Sequence, residues 1–125
     1  MPNIFPMHVQ REVNGLAVVV RATGEIDQTT VTALSAELRT AVAMATPPFP
    51  VVVDLTGVTF FGSAGLNELL RHERDAATAG VPFRIAASHR VVLRPISMSG
   101  LDGVLHVHPD VRSALAPERT VGRAG

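Results

Sequence analysis

The stretch VVVDLTGVTFFGSAGL, residues 51–66, decides the fold of this chain. Its first five residues, 51–55, are β-branched or apolar except for Asp54, and such a run is typical of a central strand covered on both faces. Residues 56–62 then read as a loop. Ser63 belongs to the residue types preferred as helix N-caps. The stretch therefore predicts a strand, a loop and the start of a helix.

Helices are predicted on both sides of the strand at 51–55. Upstream, apolar residues recur at helical spacing until the prolines of residues 47–50 end the pattern. That stripe consists of Val31, Leu34, Leu38, Ala41, Val42 and Ala45. Three short polar residues are candidate caps for this helix: Asp27, Thr29 and Thr30. The downstream stripe consists of Leu66, Leu69, Leu70, Glu73 and Ala77, and Gly80 is well placed to end that helix in the left-handed conformation.

Further strands are predicted near both ends of the chain. They lie over residues 7–13, 16–22, 82–87 and 104–107. Asn14-Gly15 is a turn signal that joins the first two strands as a hairpin. Gly24-Glu25-Ile26-Asp27 breaks the second strand. We expect an antiparallel hairpin at the start of the domain.

Two shorter helices complete the pattern. Ser88 is a candidate cap for a third helix, which Pro95 should kink or shorten. Pro109 suits the first position of a fourth helix. Alternating strands and helices imply parallel strand pairs with right-handed crossovers. We predict one α/β domain in which about four helices flank a mixed central sheet.

The composition excludes several classes of protein. The chain has 125 residues, 46% hydrophobic and 18% charged, which is typical of one globular domain. Eleven basic and eleven acidic residues cancel, so the basic excess of a nucleic-acid or acidic-membrane binder is missing. Cysteine is absent, which excludes disulfides and zinc–thiolate sites. Every basic residue is arginine, so a phosphate-binding lysine loop is also excluded.

Ser63 is the candidate functional residue. In open α/β sheets, function concentrates beyond the carboxyl ends of the strands, and Ser63 follows such an end. A hydroxyl at a helix N-terminus lies near amides without intrahelical acceptors, which favour an anion. Phosphorylation would add close to two negative charges at this point of the surface. The position therefore suits a charge switch.

Four fragments, in the expected order, resemble the STAS domain of anti-sigma-factor antagonists. Residues 51–66 match that family's run of valines, its Asp-Leu pair and its loop closing in Asp-Ser-Ser/Ala-Gly-Leu. Gly24-Glu25-Ile26-Asp27 is similar to the family's Gly-Glu-hydrophobic-Asp before the first helix. Gly80-Val81-Pro82-Phe83-Arg84-Ile85 and Ser99-Gly100-Leu101-Asp102 match two later motifs. The resemblance covers roughly residues 8–116.

The resemblance implies a partner-switching mechanism. In such proteins the motif serine is phosphorylated by an anti-sigma factor that is itself a serine kinase with a histidine-kinase-like ATPase fold. The unphosphorylated form binds the anti-sigma factor and frees the sigma factor, phosphorylation breaks the complex, and a serine phosphatase resets it. Matched by position, Ser63 is the phosphorylation site. The implied partner-binding residues are Glu25, Asp27, Gly62, Ser63, Ala64, Gly65, Leu66 and Asn67.

The resemblance further implies that the chain has no catalysis of its own and needs no cofactor or metal. We expect no direct contact with nucleic acid or membrane, and a cytoplasmic location. The predicted boundaries are an N-terminal arm over 1–7, the STAS domain over 8–116 and a flexible tail over 117–125.

One departure from the family pattern keeps a rival function open. Gly62 stands where the family has an aspartate, and a carboxylate there would help to orient the hydroxyl of Ser63 or the kinase. A STAS scaffold subunit of a larger signalling or transporter complex, which binds partners without phosphorylation, is therefore an alternative. A small serine hydrolase using Ser63 is a weaker one, because its motif needs glycine at the position of Phe61.

Other polar and aromatic residues have ordinary interpretations. Asp54 resembles the phosphoaspartate of a receiver domain, but such a domain also needs a lysine, so Asp54 reads as a hydrogen-bond acceptor. His106 and His108 alternate as metal ligands would, yet no third ligand accompanies them. Glu25 and Asp27 read as cap and docking residues rather than as a general acid and base.

Three histidines read as surface or cap residues: His8, His72 and His89. Phe60 and Phe61 are candidate core residues, and one of them is a candidate docking contact.

Overall fold

A computed structural model describes residues 6–116 of the chain. Five strands are present in these residues: β1 (Met7–Asn14), β2 (Ala17–Ile26), β3 (Val51–Phe61), β4 (Phe83–Ala86) and β5 (His106–His108). The α-helices are α1 (Val31–Met44), α2 (Ser63–Ala79), α3 (Arg90–Met98) and α4 (Val111–Leu115), with a short 3₁₀ turn at Leu101–Gly103. The predicted arm up to residue 5 and the predicted tail over 117–125 lie outside the described residues. Met7 is included in both the predicted arm and the predicted first strand, and it begins β1.

The sheet is mixed, as predicted. Its spatial order is β1-β2-β3-β4-β5, with β1 antiparallel to β2 and every other neighbouring pair parallel. The hairpin turns at Gly15 and Leu16, one residue later than the predicted Asn14-Gly15, because Gly15 supplies the positive φ of 63°. The helices between parallel strands act as crossovers.

The two faces of the sheet are covered unequally. Alternate strand residues such as Val20, Val53 and Ile85 pack into one large core with apolar residues of α1, α2 and α3. The intervening residues, including Val19 and Val52, form a small cluster beneath α4. Strand side chains alternate between faces, so each central strand serves both layers. Among the described residues, no helix combines the length and the apolar character needed to cross a lipid bilayer.

β2 and β3 are longer than predicted. The predicted break at Gly24–Asp27 is wrong for the first three of these residues, since β2 runs to Ile26, and the predicted loop over 56–62 is wrong because β3 runs to Phe61. The two strands pair with each other in this region, with Glu25 opposite Phe60 and Ile26 opposite Phe61. The β2–β3 register is irregular near Gly24 and Gly57, and these irregularities let both strands continue through residues that were predicted to break them.

Three predicted helix starts are shifted. Gly62 occupies the N-cap of α2, so Ser63 is its first helical residue. The cap of α3 is His89, whose Nδ1 accepts a hydrogen bond from the amide of Val91 at 3.3 Å, and not Ser88. Asp110 caps α4 by accepting from the amide of Ser113 at 2.7 Å, so Pro109 lies just outside that helix.

The predicted helix stops are confirmed. Gly80 ends α2 with φ of 73°, the left-handed conformation that glycine adopts without strain. The prolines at 47–50 follow the end of α1. Pro95 lies within α3, and this helix ends three residues later, so it is short, as expected.

Candidate functional site

The candidate site lies at the end of an extension of the sheet that is formed by β2 and β3, with β1 paired alongside β2 as far as Gly24. β3 pairs with β4 only as far as Asp54 opposite Ala86, whereas its pairing with β2 continues to Phe61. A strand rises about 3.3 Å per residue, so this extension projects roughly 20 Å beyond the last β4 pair. The start of α2 therefore lies beyond the end of β4.

A backbone hydrogen bond joins the two segments that carry the predicted site residues. The amide of Gly62 donates to the carbonyl of Ile26 at 3.0 Å. This contact places the β3–α2 junction beside the segment from Glu25 to Asp27. Glu25 and Ser63 are exposed and Asp27 is half-buried, so both joined segments present polar side chains at the surface.

The first turn of α2 leaves two amides without intrahelical acceptors. The amides of Gly65 and Leu66 donate to the carbonyl of Gly62 at 3.0 and 3.3 Å. Ser63 and Ala64 precede them, and the amides of such first helical residues have no acceptor within the helix. An anion on the hydroxyl of Ser63 would lie at the positive end of the helix dipole.

The remaining predicted docking residues differ in exposure. Asn67 is exposed, Ala64 and Leu66 are half-buried, and Gly65 is buried. A Cβ on Gly65 would lie 2.7 Å from Cε1 of Phe61 and 2.8 Å from Cγ2 of Ile26. Gly65 therefore lets α2 pack closely on the ends of β2 and β3.

Asp27 organises the loop before α1. Its Oδ1 accepts hydrogen bonds from the amides of Thr29 (2.9 Å) and Thr30 (3.1 Å) and from the hydroxyl of Thr29 (2.7 Å). Thr30, the N-cap residue of α1, accepts from the amide of Asp27 at 3.0 Å and donates to the carbonyl of Glu25 at 2.8 Å. The hydrogen bonds from Thr29, first of all from its hydroxyl, lower the pKa of Asp27. The carboxylate is thus charged and fixed at the start of α1.

The two phenylalanines before Gly62 have different environments. Phe61 is buried in the core, whereas Phe60 is 50% exposed. The ring of Phe60 lies against Gly62, with Cε2 3.3 Å from the point where a Cβ of residue 62 would stand. Phe60 therefore supplies an exposed apolar surface next to Ser63.

A buried polar cluster between α1 and α2 was not found from the sequence. His72 is only 2% exposed, so its prediction as a surface or cap residue is wrong. Its Nε2 lies 3.2 Å from Oγ of Ser35 and 3.2 Å from Oε1 of Glu68, and its Nδ1 is buried without a hydrogen-bond partner. Burial lowers the pKa of His72, although Glu68 opposes that effect. The spacing of Glu68 and His72, four residues apart on one helix, was the available signal.

This cluster lacks the geometry of a hydrolytic triad. The serine and the carboxylate both lie at Nε2, whereas a triad uses one ring nitrogen for each. The cluster is also separate from Ser63, because His72 lies in the interior face of α2.

The other titratable residues do not assemble a metal site. Across residues 6–116, no group of three or more histidine, aspartate or glutamate side chains is placed to hold an ion. Asp54 is buried and accepts from the amide of Thr56 at 3.0 Å and from its hydroxyl at 2.7 Å. Its prediction as a hydrogen-bond acceptor is confirmed.

Comparisons with known proteins agree with this architecture. The family model described as "Mlab, STAS domain" matches residues 9–107. Anti-sigma-F factor antagonist RsfA from Mycobacterium tuberculosis is 35% identical over 100 residues, which are 80% of this chain and 78% of that protein. Anti-sigma-F factor antagonist RsfB from the same organism is 35% identical over 106 residues, or 85% and 84% of the two chains.

The crystal structure of an anti-sigma factor antagonist from Mycobacterium paratuberculosis superposes with a TM-score of 0.80 at 31% identity, covering 87% of this chain and 91% of that one. The predicted single-domain α/β fold with a mixed sheet is thereby confirmed. By sequence and by structure, this chain belongs to the STAS domain family and is a relative of its anti-sigma factor antagonists.

Proposed function

We propose that this protein is an anti-sigma-factor antagonist that is switched by phosphorylation of Ser63. It binds an anti-sigma factor of the serine-kinase type, with a histidine-kinase-like ATPase fold, and so releases a sigma factor. Its relatives of 35% identity are named as antagonists of an anti-sigma factor, which supports the partner class. The cytoplasm is the proposed place of action, since a sigma factor works there.

The exposed hydroxyl of Ser63 in the first turn of α2 carries this proposal. A kinase must reach the hydroxyl, and the exposed position allows it. The free amides of the first turn favour the phosphorylated product. The hydrogen bond from Gly62 to Ile26 joins the segment of Glu25 and Asp27 to the same turn, which supports one partner surface that contacts all three residues.

The charge of a phosphate supplies the switch. It adds about 1.5 to 2 negative charges at neutral pH. In the free protein the helix amides and solvent accommodate this charge. In a complex the phosphate would lie beside the carboxylates of Glu25 and Asp27 with little water, and a poorly compensated charge at an interface costs about 2–5 kcal/mol. Dissociation is the expected response, and a serine phosphatase would reverse it.

A binding role for Ser63 is better supported than a hydrolytic one. His72 is the one buried histidine among residues 6–116, and its Nε2 lies against Ser35 and Glu68. Ser63 is instead part of an exposed surface at the end of the β2–β3 extension. We therefore propose that the chain itself catalyses no reaction.

The scaffold alternative depends on Gly62. This residue brings no carboxylate to Ser63, and the ring of Phe60 lies over it. A site with that apolar cover can bind a partner whether or not Ser63 is phosphorylated. The two functions differ in one observable, the effect of a charge at residue 63 on binding.

The test uses the purified chain and anti-sigma factors of the histidine-kinase-like ATPase type from the same genome. Calorimetry measures binding of the native chain, of Ser63→Glu and of Ser88→Glu, the last being a matched change at another exposed serine. We expect Ser63→Glu to weaken binding about tenfold or more, equivalent to at least 1.4 kcal/mol. With ATP, intact-protein mass spectrometry should detect one phosphate on the native chain and none on Ser63→Ala.

Equal binding by the native chain and Ser63→Glu, together with no phosphate on the native chain, would establish the scaffold function instead. No binding to any of these anti-sigma factors would refute the proposed partner class.

A further inference from the structure

A second interaction surface lies on α3. Its outward side, which we call the α3 face, consists of Arg90, Val91, Arg94, Pro95 and Met98. The inward side, with Val92 and Ile96, is buried in the core. The α3 face combines positive charge with exposed apolar groups, and none of the Ser63 site residues belongs to it.

The charge of the α3 face is uncompensated. Arg90 and Arg94 are exposed, and neither forms an ion pair with an acid of residues 6–116. By contrast, Arg11 and Arg21 are paired with carboxylates from other elements. The nine residues of α3 include no acid. Two side chains four residues apart on a helix lie about 6 Å from each other. The face thus presents two adjacent guanidinium groups.

The apolar part of the α3 face is a groove. Val91, Pro95 and Met98 line a depression of about 460 Å³ together with the stems of the two arginines. Met98 is 75% exposed, more than any other large hydrophobic side chain of the described residues. From Val91 to Met98 the groove follows the helix for about 10 Å, at 1.5 Å per residue. A groove of this length accommodates two turns of a second helix.

We propose that the α3 face binds an acidic amphipathic helix of another protein. Apolar side chains of that helix would enter the groove and cover Met98. Two acids four residues apart on the same helix would match the spacing of Arg90 and Arg94, and arginine pairs with carboxylates through two parallel hydrogen bonds. A second copy of α3 does not fit, because it would bring arginines against arginines.

The α3 face is independent of the proposed phosphorylation switch. The Ser63 surface carries the carboxylates of Glu25 and Asp27, whereas the α3 face is positive. A ligand selected by one sign of charge is rejected by the other. The α3 partner is therefore expected to differ from the partner of the Ser63 surface and to stay bound when Ser63 is phosphorylated.

The test is a nuclear magnetic resonance titration of the full chain with a designed peptide. The probe is a synthetic peptide of about 16 residues, long enough to form a helix, with leucines along one face flanked by glutamates. We expect amide shifts confined to residues 88–100. A second peptide, with glutamine in place of each glutamate, should bind about tenfold more weakly, because ionic complementarity is lost.

Variants locate the binding to the proposed residues. The double change Arg90→Glu with Arg94→Glu should weaken peptide binding about tenfold or more. The matched control, Arg39→Glu with Arg74→Glu, alters two exposed arginines on α1 and α2 and should leave affinity within about twofold, since distant exposed charges are screened by salt. Met98→Ser tests the groove without changing charge and should also weaken binding. Ser63→Glu should have no effect.

Three results would overturn the proposal. The first is a peptide that shifts no amide, or shifts amides elsewhere. The second is binding to phosphatidylglycerol vesicles without binding to the peptide, which would identify a lipid surface as the ligand. The third is loss of an equilibrium dimer on Met98→Ser, measured by sedimentation, which would identify a second copy of the chain.

Discussion

Arg21 and Asp54 are register partners on β2 and β3, and Nε of Arg21 donates to Oδ2 of Asp54 at 2.8 Å. The carboxylate is buried, whereas the guanidinium is partly exposed and also contacts Glu12 of β1 at 2.7 Å. The three side chains cross three adjacent strands on the face of the sheet away from the large core. Because a shift of one residue would turn Asp54 toward the apolar core, this pair helps to set the β2–β3 register.

Removal of the buried partner should therefore be costly. Asp54→Ala leaves Arg21 without its main acceptor and the Thr56 groups unpaired. We expect a loss of about 2–4 kcal/mol in the free energy of unfolding, measured with urea. Glu12→Ala removes the exposed partner of the same arginine and should cost less than about 1 kcal/mol. Equal losses would show that Asp54 contributes no more than a surface pair.

Stability should also fall in acid because of Asp54. Burial favours the protonated form of this carboxyl, but hydrogen bonds from Arg21 and Thr56 outweigh burial and lower its pKa in the folded state. The stabilisation is complete above the unfolded-state pKa of about 3.9 and is lost as the pH falls through the lower folded-state pKa. The free energy of unfolding, measured with urea at a series of pH values from about 6 to about 3, should show this loss. Asp54→Asn should reduce the slope of the unfolding free energy against pH. An unchanged slope would show that Asp54 does not cause the loss of stability in acid.

His72 should titrate below an ordinary histidine. Burial disfavours its charged form, and the attraction of Glu68 only partly offsets this, so the folded-state pKa is lowered. The neutral ring contributes stability above the unfolded-state pKa of about 6.5, and this contribution is lost as the pH falls through the folded value. The ring protons of His72 can be followed by nuclear magnetic resonance as the pH is changed. A midpoint above about 6.5 would contradict the prediction.

Gly65 should not tolerate a side chain. A methyl group there would lie 2.7 Å from the ring of Phe61 and 2.8 Å from Ile26, and both of these side chains are buried. Overpacking of this kind costs about 1–3 kcal/mol. Thermal unfolding of Gly65→Ala should show this loss. Gly103→Ala is the matched control, because its Cβ would meet nothing within 4 Å and its φ is not positive.

A carboxylate at residue 62 should accelerate phosphorylation of Ser63. The N-cap conformation of Gly62, φ −93°, is open to any residue, and the half-exposed ring of Phe60 can move by the few tenths of an ångström that a Cβ requires. Gly62→Asp should therefore fold and should raise the rate of Ser63 phosphorylation measured with the proposed anti-sigma kinase. Gly62→Asn has the same size without the charge and should not. An unchanged rate for Gly62→Asp would show that the native glycine does not limit phosphorylation of Ser63.

The sequence was sufficient to predict the order of elements and the position of Ser63. Helical spacing from Val31 to Ala45, the prolines that follow and the glycine at 80 are local signals, and each acts within one element. They predicted the main helix stops correctly. Ser63 was identified because a residue type, a helix start and a strand end coincide within one stretch, and the family resemblance depends on the same stretch.

Local signals were insufficient where strands and helices meet. Glycines at 24 and 57 read as breaks, yet pairing between β2 and β3 carries both strands through them. The cap of α2 moved from Ser63 to Gly62 because the amide of Gly62 is held by Ile26, which lies 36 positions earlier in the chain.

The sequence by itself determined the order of helices and strands and placed Ser63 at the start of α2, since periodicity and turn chemistry act over a few residues. Only the tertiary structure decided that Ser35 meets His72, that Arg21 meets Asp54 and that Met98 stays uncovered. The first two contacts join residues more than thirty positions apart, and Met98 is exposed because no described element packs over that side of α3. Strand register and helix packing determine all three, and both arise from burial of the whole core rather than from any local pattern.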